Sequence, residues 1–255
     1  MDRRQEGQHF LVTGAGTGIG RAVARRLVAE GAHVTALGRR VELLDALAAS
    51  APGAITARAA DIRNGDALEA AVEASVAARG PFRGVVCSAG IGGANSPGAD
   101  DRFFDLVETN LVGTYRTIRA TQPHLAPGPD TRHVVVMSSI LARFGVPSYT
   151  GYCASKAGLL GLVRALAHEL AGANVQVNAL CPGWVATDMA WRGIDALAKS
   201  LGTDRAGGLA EAMSHVPLGR MSEPEDVAGL VAWLVSNDAR GVTGQTIDMN
   251  NGAWM

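Results

Sequence analysis

The stretch TGAGTGIG, residues 13–20, decides the fold of this chain because of where it stands. It follows a short apolar run, His9–Thr13, and opens a stretch, Gly20–Glu30, whose apolar residues recur at helical spacing. A glycine-rich turn between a strand and a helix lets the backbone approach a pyrophosphate, and the helix N-terminus supplies free N–H groups. The stretch therefore predicts a dinucleotide-binding turn rather than a merely flexible loop, although its spacing is TGxxxGxG and not GxGxxG.

Strand-like and helix-like stretches alternate along the whole chain. Several strand-like runs are continuously apolar, as expected for strands that are covered on both faces. The predicted strands are His9–Thr13, His33–Leu37, Ile55–Ala60, Gly84–Cys87, His133–Met137, Asn174–Leu180 and Gln245–Met249. The predicted helices are Gly20–Glu30, Asp66–Ala78, Asp100–Pro123, Gly158–Leu170 and Pro224–Val235. This alternation predicts an α/β fold with a doubly wound parallel sheet of about seven strands and helices on both faces.

Composition excludes several classes of protein. The chain has 255 residues, 47% of them apolar and 18% charged, so it is neither disordered nor fibrous. The net charge is −1 and no basic run exceeds Arg39-Arg40, which argues against nucleic-acid binding. The apolar runs are shorter than the roughly 20 residues that span a membrane, and no signal peptide is expected. Three scattered cysteines show no metal-ligand spacing and favour a reduced cytoplasm, so no metal site is predicted.

No linker or internal repeat divides the chain, so residues 1–255 are predicted to form one domain. The longest stretch without a strand pattern, about 185–222, is predicted to be a helical lid over a site. Arg192 and Lys199 are expected on a solvated helix face rather than against an acidic substrate. Six apolar lid residues either line a pocket or pack within the lid: Met189, Trp191, Ile194, Leu197, Leu201 and Met213.

The end of the second predicted strand bears on the choice of dinucleotide. An acidic residue there would bind the ribose hydroxyls of NAD, but Gly38 has no side chain and Arg39 and Arg40 follow. A guanidinium suits a 2′-phosphate, so NADP(H) is favoured and NAD(H) remains possible, unless the arginines are merely solvated. Asp61 follows the third strand and either accepts a hydrogen bond from the adenine amino group or caps a turn.

Three residues in the middle of the chain suggest acid–base chemistry. Tyr152 and Lys156 form a YxxxK pattern, which on a helix places both side chains on one face. A nearby ammonium is expected to lower the pKa of a tyrosine from about 10, so that the phenol protonates an alkoxide or deprotonates an alcohol. Ser139 follows the fifth strand at the edge where ligands bind in such sheets, and its hydroxyl could hold the substrate oxygen.

Taken together, these motifs make the sequence resemble the short-chain dehydrogenase/reductase family over about residues 8–252. The resemblance rests on TGAGTGIG at 13–20, SAG at 88–90, ETNLVGTY around Asn110, MSSIL around Ser139, YCASK at 152–156 and PGWVATDM at 182–189. It implies a single-domain Rossmann fold and transfer of hydride between the B face of a nicotinamide and a carbonyl or alcohol. The chain departs from the family's usual NNAG, which reads CSAG here, with Cys87 in place of the first asparagine.

The resemblance also implies roles for individual residues. Asn110, Ser139, Tyr152 and Lys156 would form a catalytic tetrad, in which Asn110 holds a water that links Lys156 to solvent. Lys156 would also bind the ribose of the nicotinamide half. Cofactor-binding residues would be Gly14, Gly16, Thr17, Gly18, Ile19, Gly38, Arg39, Arg40, Asp61, Ile62, Ser88, Ala89, Gly90, Tyr152, Lys156, Pro182, Gly183, Val185 and Thr187.

Several functions remain open within and beyond this class. The leading expectation is a ketoreductase of the 3-oxoacyl or polyketide type, and the alternative is an NAD-dependent dehydrogenase of a cyclic alcohol or dihydrodiol. A non-catalytic dinucleotide-sensing protein is a remote alternative, because it could dispense with Tyr152 and Lys156. The family also implies a homotetramer in which helices near 100–123 and 150–170 and the tail 245–255 form interfaces.

Overall fold

A seven-stranded, all-parallel sheet forms the centre of the molecule in the computed structural model, which describes residues 3–255. The strand order is β3-β2-β1-β4-β5-β6-β7, so the chain reverses direction across the sheet between β1 and β4. The strands are β1 (His9–Thr13), β2 (His33–Gly38), β3 (Ile55–Ala59), β4 (Gly84–Cys87), β5 (Arg132–Met137), β6 (Val175–Pro182) and β7 (Thr246–Met249). The prediction of a doubly wound α/β fold is confirmed.

Helices cover both faces of the sheet. They are α1 (Gly18–Ala29), α2 (Val41–Ala49), α3 (Gly65–Arg79), α4 (Phe103–Val107), α5 (Gly113–Thr121), α6 (Thr150–Leu170), α7 (Asp188–Leu201), α8 (Arg205–Ser214) and α9 (Pro224–Leu234). One apolar core contains buried residues of α1, α2 and α9, and the other contains those of α3, α5 and α6. Strands β1, β4, β5 and β6 are buried at every position, as expected for strands covered on both faces, and the apolar runs within them, such as Val134–Val136, predict this.

The predicted helices differ from the observed ones mainly at their ends. Helix α6 begins at Thr150, eight residues before the predicted Gly158, because the small and polar residues of its first two turns hide the apolar stripe. The predicted helix Asp100–Pro123 begins only at Phe103 and is interrupted by a π-helical segment, Glu108–Val112. Helix α2 was missed in the sequence, since only Leu44 and Leu47 of its nine residues are buried.

The segment predicted to be a lid contains two helices, α7 and α8. A short bridge between Val185 and Ser222 closes the segment at its base. Thr187 begins α7 by accepting a hydrogen bond from the Ala190 N–H, and Gly202 ends it in the left-handed conformation with φ of 67°. No helix within residues 3–255 is long and apolar enough to cross a membrane.

Candidate active site

A cleft of about 580 Å³ runs along the carboxyl ends of the strands, at the point where the strand order reverses between β1 and β4. Ligands of open α/β sheets bind at this position, because the chain leaves neighbouring strands in opposite directions. The glycine turn lines one wall, while Tyr152 and Lys156 line another. The fold therefore brings together the two sequence features that suggested dinucleotide binding and acid–base chemistry.

Two glycines of the turn, Gly14 and Gly20, have no room for a side chain. Gly14 has φ of 67°, and a Cβ built there would lie 2.8 Å from the backbone of Ala89. A Cβ on Gly20 would lie 2.4 Å from the carbonyl oxygen of Gly14. The Thr13 hydroxyl fixes the same junction, because its oxygen accepts hydrogen bonds from the N–H groups of Ser88 and Ala89 at 3.2 and 3.1 Å. Glycine at position 14 thus lets the turn approach the residues after β4, and glycine at position 20 lets the start of α1 pack on the turn itself.

The start of α1 fits a diphosphate. Its N-cap residue, Thr17, makes no side-chain capping bond, and no acidic residue occupies the first turn. The first N–H groups of a helix have no intrahelical partners and carry the positive end of the dipole, so they favour an anion. The turn and the helix start together match the chemistry of a dinucleotide's phosphates.

The two arginines after β2 point to different partners. The Arg40 guanidinium donates to the Thr17 hydroxyl at 2.9 Å, so it lies across the glycine turn. Arg39 lies 3.9 Å from the Asp61 carboxylate, which binds Arg63 more closely at 2.7 Å. Hydrogen bonds from Arg63 are the main reason that the pKa of Asp61 lies below its usual range. The geometry therefore moves emphasis from Arg39, singled out in the sequence, to Arg40 as the arginine nearest the glycine turn.

Helix α6 carries the acid–base pair. Because Tyr152 and Lys156 are four residues apart within it, the Lys156 ammonium lies 5.7 Å from the centre of the Tyr152 ring. The Lys156 Nζ also donates to the carbonyl oxygen of Met137, at the end of β5, at 2.8 Å. Burial lowers the pKa of Lys156 to about 8, so this group can exchange a proton near neutral pH.

The expected lowering of the tyrosine pKa is wrong for this structure. Burial raises the pKa of Tyr152 above its ordinary value, and a hydrogen bond with the Ser139 hydroxyl only partly opposes the rise. The reason is geometric, because the Lys156 ammonium lies over the aromatic ring and donates to Met137. Tyr152 is accordingly a protonated phenol at neutral pH, which suits the donation of a proton to a carbonyl oxygen.

Asn110 lies in the π-helical segment between α4 and α5 and is fully buried. Its amide oxygen accepts from the Ile91 N–H at 2.8 Å, and its amide nitrogen donates to the Ile91 carbonyl at 3.0 Å and to the Ser155 hydroxyl at 3.1 Å. The side chain therefore fixes the turn after β4 against α6. The water relay that the family resemblance implies for Asn110 stays a prediction.

Most of the predicted site residues line the cleft: Gly14, Gly16, Thr17, Gly18, Ile19, Gly38, Arg39, Arg40, Asp61, Ile62, Ser88, Ala89, Gly90, Tyr152, Lys156 and Thr187. Five others do not: Asn110, Ser139, Pro182, Gly183 and Val185. Ser139 follows the cleft-lining Ser138 and begins a short 3₁₀ turn. Pro182 and Gly183 lie against β7 and the residues after it, where the Gly183 N–H donates to the Met249 carbonyl at 3.0 Å. Val185 belongs to the apolar core beneath the lid.

Sequence reasoning missed several residues that line the cleft. Arg102 is one of them and donates weakly to the Gly92 carbonyl at 3.4 Å. Met189, for which the sequence left a pocket-lining and a packing position open, lines the cleft with its sulfur close to Gly92. Arg192 lines the cleft as well, although its sequence position suggested a solvated surface. Nothing in the sequence pattern brings the loop after β4 and the start of α7 together, so only the fold reveals this contact.

Comparisons with known proteins agree with this geometry. A family model described as enoyl-(acyl carrier protein) reductase matches residues 14–253. The chain belongs to the short-chain dehydrogenase/reductase family. It is an NAD(P)(H)-dependent oxidoreductase acting on CH–OH and C=O groups, as the sequence predicted.

Relatives of known description narrow the class further. A putative ketoacyl reductase of the monensin polyketide synthase from Streptomyces virginiae is 36% identical over 95% of both chains. The 3-oxoacyl-(acyl-carrier-protein) reductase of Salmonella typhimurium is 32% identical over 98% of both chains. A crystal structure of a single-site variant of actinorhodin polyketide ketoreductase with NADPH is 32% identical, covers 99% of both chains and has a TM-score of 0.90.

Proposed function

We propose that this oxidoreductase is an NADP(H)-dependent ketoreductase that reduces a 3-oxoacyl or polyketide-type β-keto thioester. The observation that carries the proposal is the placement of Tyr152 and Lys156 on one face of α6 at the wall of the cleft, with the Ser139 hydroxyl close enough to the phenol to oppose part of the rise in its pKa. Relatives described as ketoacyl reductases support the substrate class.

The cleft supplies the groups that a dinucleotide needs. Gly14 and Gly18 would let its diphosphate approach the start of α1, while Arg40 and Arg39 would face the 2′-phosphate. Lys156 would hold the ribose hydroxyls of the nicotinamide half. When bound there, the cofactor would supply the hydride for the carbonyl carbon of the substrate.

The chain's own residues handle the proton and the oxygen. The Ser139 hydroxyl orients the carbonyl oxygen of the substrate, and the Tyr152 phenol donates its proton to that oxygen as negative charge develops there. Lys156, with its pKa lowered to about 8, would then return a proton to the Tyr152 phenolate and regain one from solvent. Ser139 lies outside the cleft wall, so the substrate would enter beyond Tyr152 towards the 3₁₀ turn that Ser139 begins.

A panel of substrates tests the proposal. Nicotinamide absorbance would be followed with a 3-oxoacyl thioester, a cyclic ketone and a cyclic alcohol, each with NADPH or NADH or the oxidised forms. The thioester with NADPH is expected to give the highest kcat/KM. Faster turnover of the cyclic alcohol with NAD⁺ would favour the catabolic alternative, and tight cofactor binding with no turnover of any compound would favour a sensing protein.

We extend the proposal to assembly and location. Three aromatic side chains are exposed on the segments expected at interfaces, Phe104, Tyr115 and Trp254, with 80%, 43% and 42% of their surface accessible. Burying such groups between copies is favourable, which supports a homotetramer. Free thiols at Cys87, Cys153 and Cys181 support a reducing cytoplasm. Light scattering that finds a stable monomer at micromolar concentration would contradict the tetramer.

A further inference from the structure

The first turn of α6 receives its cap from a distant residue. Its own N-cap position, Tyr149, makes no side-chain capping bond. Instead, the Asn95 amide oxygen accepts from the Gly151 N–H at 2.9 Å, and the Thr150 hydroxyl lies 3.0 Å from the Asn95 amide nitrogen. The N–H groups of a helix's first turn need partners, and a turn without them frays. Asn95 therefore holds the residue that immediately precedes Tyr152.

Asn95 also joins α6 to the start of α4. Its amide nitrogen donates to the Asp101 carboxylate at 3.0 Å, and the same carboxylate oxygen accepts from the Phe103 N–H at 2.9 Å. The Asn95 N–H donates to the Ser148 carbonyl at 2.7 Å. One side chain thus connects the loop that borders the cleft with the beginnings of both helices.

The contact between these helices is tight, and the connecting residue is almost fully buried. A Cβ on Gly151 would lie 3.0 Å from the Phe103 Cα, so α6 begins directly against the start of α4. Asn95 is only 6% exposed, and each of its polar side-chain atoms has a partner. A buried amide gains little net stability when protein partners replace water. The specific hydrogen bonds of Asn95 therefore indicate a role in orienting the start of α6.

We propose that Asn95 is a positioning residue for Tyr152, which fixes the first turn of the catalytic helix against the loop that borders the cleft. The consequence for chemistry is large compared with the size of the movement. A displacement of about 1 Å in a reacting group can cost about 100-fold in rate. The expected effect of Asn95 on turnover rests on the proposed function, but its effect on the stability of the first turn of α6 does not.

The main test removes the amide and keeps the size of the side chain. Asn95→Leu is expected to lower kcat by about 10- to 100-fold, with little change in KM or in the dissociation constant of NADPH. Amide hydrogen exchange in a peptide spanning 148–156 is expected to become faster, and this measurement needs no substrate. The control is Asn64→Leu, because the exposed Asn64 also caps a helix, accepting from the Ala67 N–H at the start of α3, away from α6. The control is expected to leave kcat and exchange in 148–156 unchanged.

A rescue experiment separates orientation from general stability. Asn95→Asp keeps the acceptor for Gly151 but places a second carboxylate against Asp101, and like charges repel at this distance. It is expected to lose most of kcat at neutral pH. Adding Asp101→Asn exchanges donor and acceptor and is expected to restore kcat to near the wild-type value.

The outcomes decide the proposal in every case. Wild-type kcat in a folded Asn95→Leu protein would overturn it, as would an equal loss in the Asn64 control. If Asn95→Leu does not fold, the Asp pair decides, and failure of the double variant to recover kcat overturns the proposal. If the wild type reduces no ketone, the proposed function fails, and unchanged exchange in 148–156 would separately overturn the role of Asn95.

Discussion

Titratable groups are buried both at the carboxyl edge of the sheet, where the strands end, and at the amino edge, where they begin. Only the carboxyl edge has the cleft. At the carboxyl edge, burial lowers the pKa of Lys156 to about 8 and raises that of Tyr152. At the amino edge, burial and the charge of Arg83 lower the pKa of His133 to about 3, and its two ring nitrogens have no hydrogen-bond partner within residues 3–255. A shifted pKa by itself therefore does not identify a functional site, because it marks burial at both edges. The cleft, with its helix N-terminus and arginines, makes the difference.

The largest expected effect tests the carboxyl edge. Tyr152→Phe keeps the ring and removes the proton donor, so kcat is expected to fall by about 100-fold or more without loss of the fold. NADPH binding, followed by fluorescence, should persist, since the ring and Lys156 remain. A variant that keeps most of the wild-type turnover would remove Tyr152 from the mechanism.

The second expected effect concerns His133 at the amino edge, and it changes only the pH dependence of the unfolding free energy. His133 has a folded pKa of about 3, well below the value of about 6.5 in an unfolded chain, so the unfolded state binds more protons between these pH values. The contribution to the unfolding free energy is complete above about pH 6.5 and is lost as the pH falls, by about 2 kcal/mol between pH 6.5 and 5.

Denaturant titrations at several pH values measure this dependence. His133→Phe is expected to flatten it in that window, while kcat at neutral pH stays unchanged. The exposed His168 provides the control, and His168→Gln should leave the slope intact. The same slope in the His133 variant would show that other groups cause the pH dependence.

The smallest expected effect lies at the adenine end of the cleft. A charge-assisted hydrogen bond contributes about 1.5–3 kcal/mol, and exposure puts Arg40 and Arg39 at the lower end, so each change to Leu should lower kcat/KM for NADPH by about tenfold. The kcat/KM for NADH should not change in these variants. Arg25→Leu on α1 is the control and should leave kcat/KM for both cofactors unchanged. Gly38→Asp combined with Arg39→Leu should reverse the preference, because it adds repulsion as well as removing attraction. Tighter binding of NADH by the wild type would contradict this view of the arginines.

The sequence predicted the parts of the molecule that depend on local pattern. Strand-like runs predicted all seven strands to within two residues at each end. The central strands were predictable because strands covered on both faces are rich in apolar residues. The glycine turn was predictable because backbone proximity requires glycine at defined positions. The YxxxK spacing was predictable because a helix converts four residues into one face.

The remaining features depend on contacts between residues far apart in the chain. Arg39 and Arg40 point in different directions because the folded loops place Asp61 near Arg39 and Thr17 near Arg40. The lysine's placement over the tyrosine ring depends on the Met137 carbonyl at the end of β5. Asn95 looks like an ordinary loop residue in sequence, and only folding brings it to Gly151. Contacts of this kind leave no periodic pattern in the sequence.

Transfer of a labelled hydride tests the central claim most directly. NADPH carrying deuterium on the B face of the nicotinamide would be mixed with the protein and a 3-oxoacyl thioester, and the product analysed by mass spectrometry. We expect a 3-hydroxyacyl product that carries the deuterium, and an unlabelled product when the label is on the A face. Deuterium that stays in the cofactor while product forms, or the absence of any 3-hydroxyacyl product, would contradict the assignment of this cleft as a ketoreductase site.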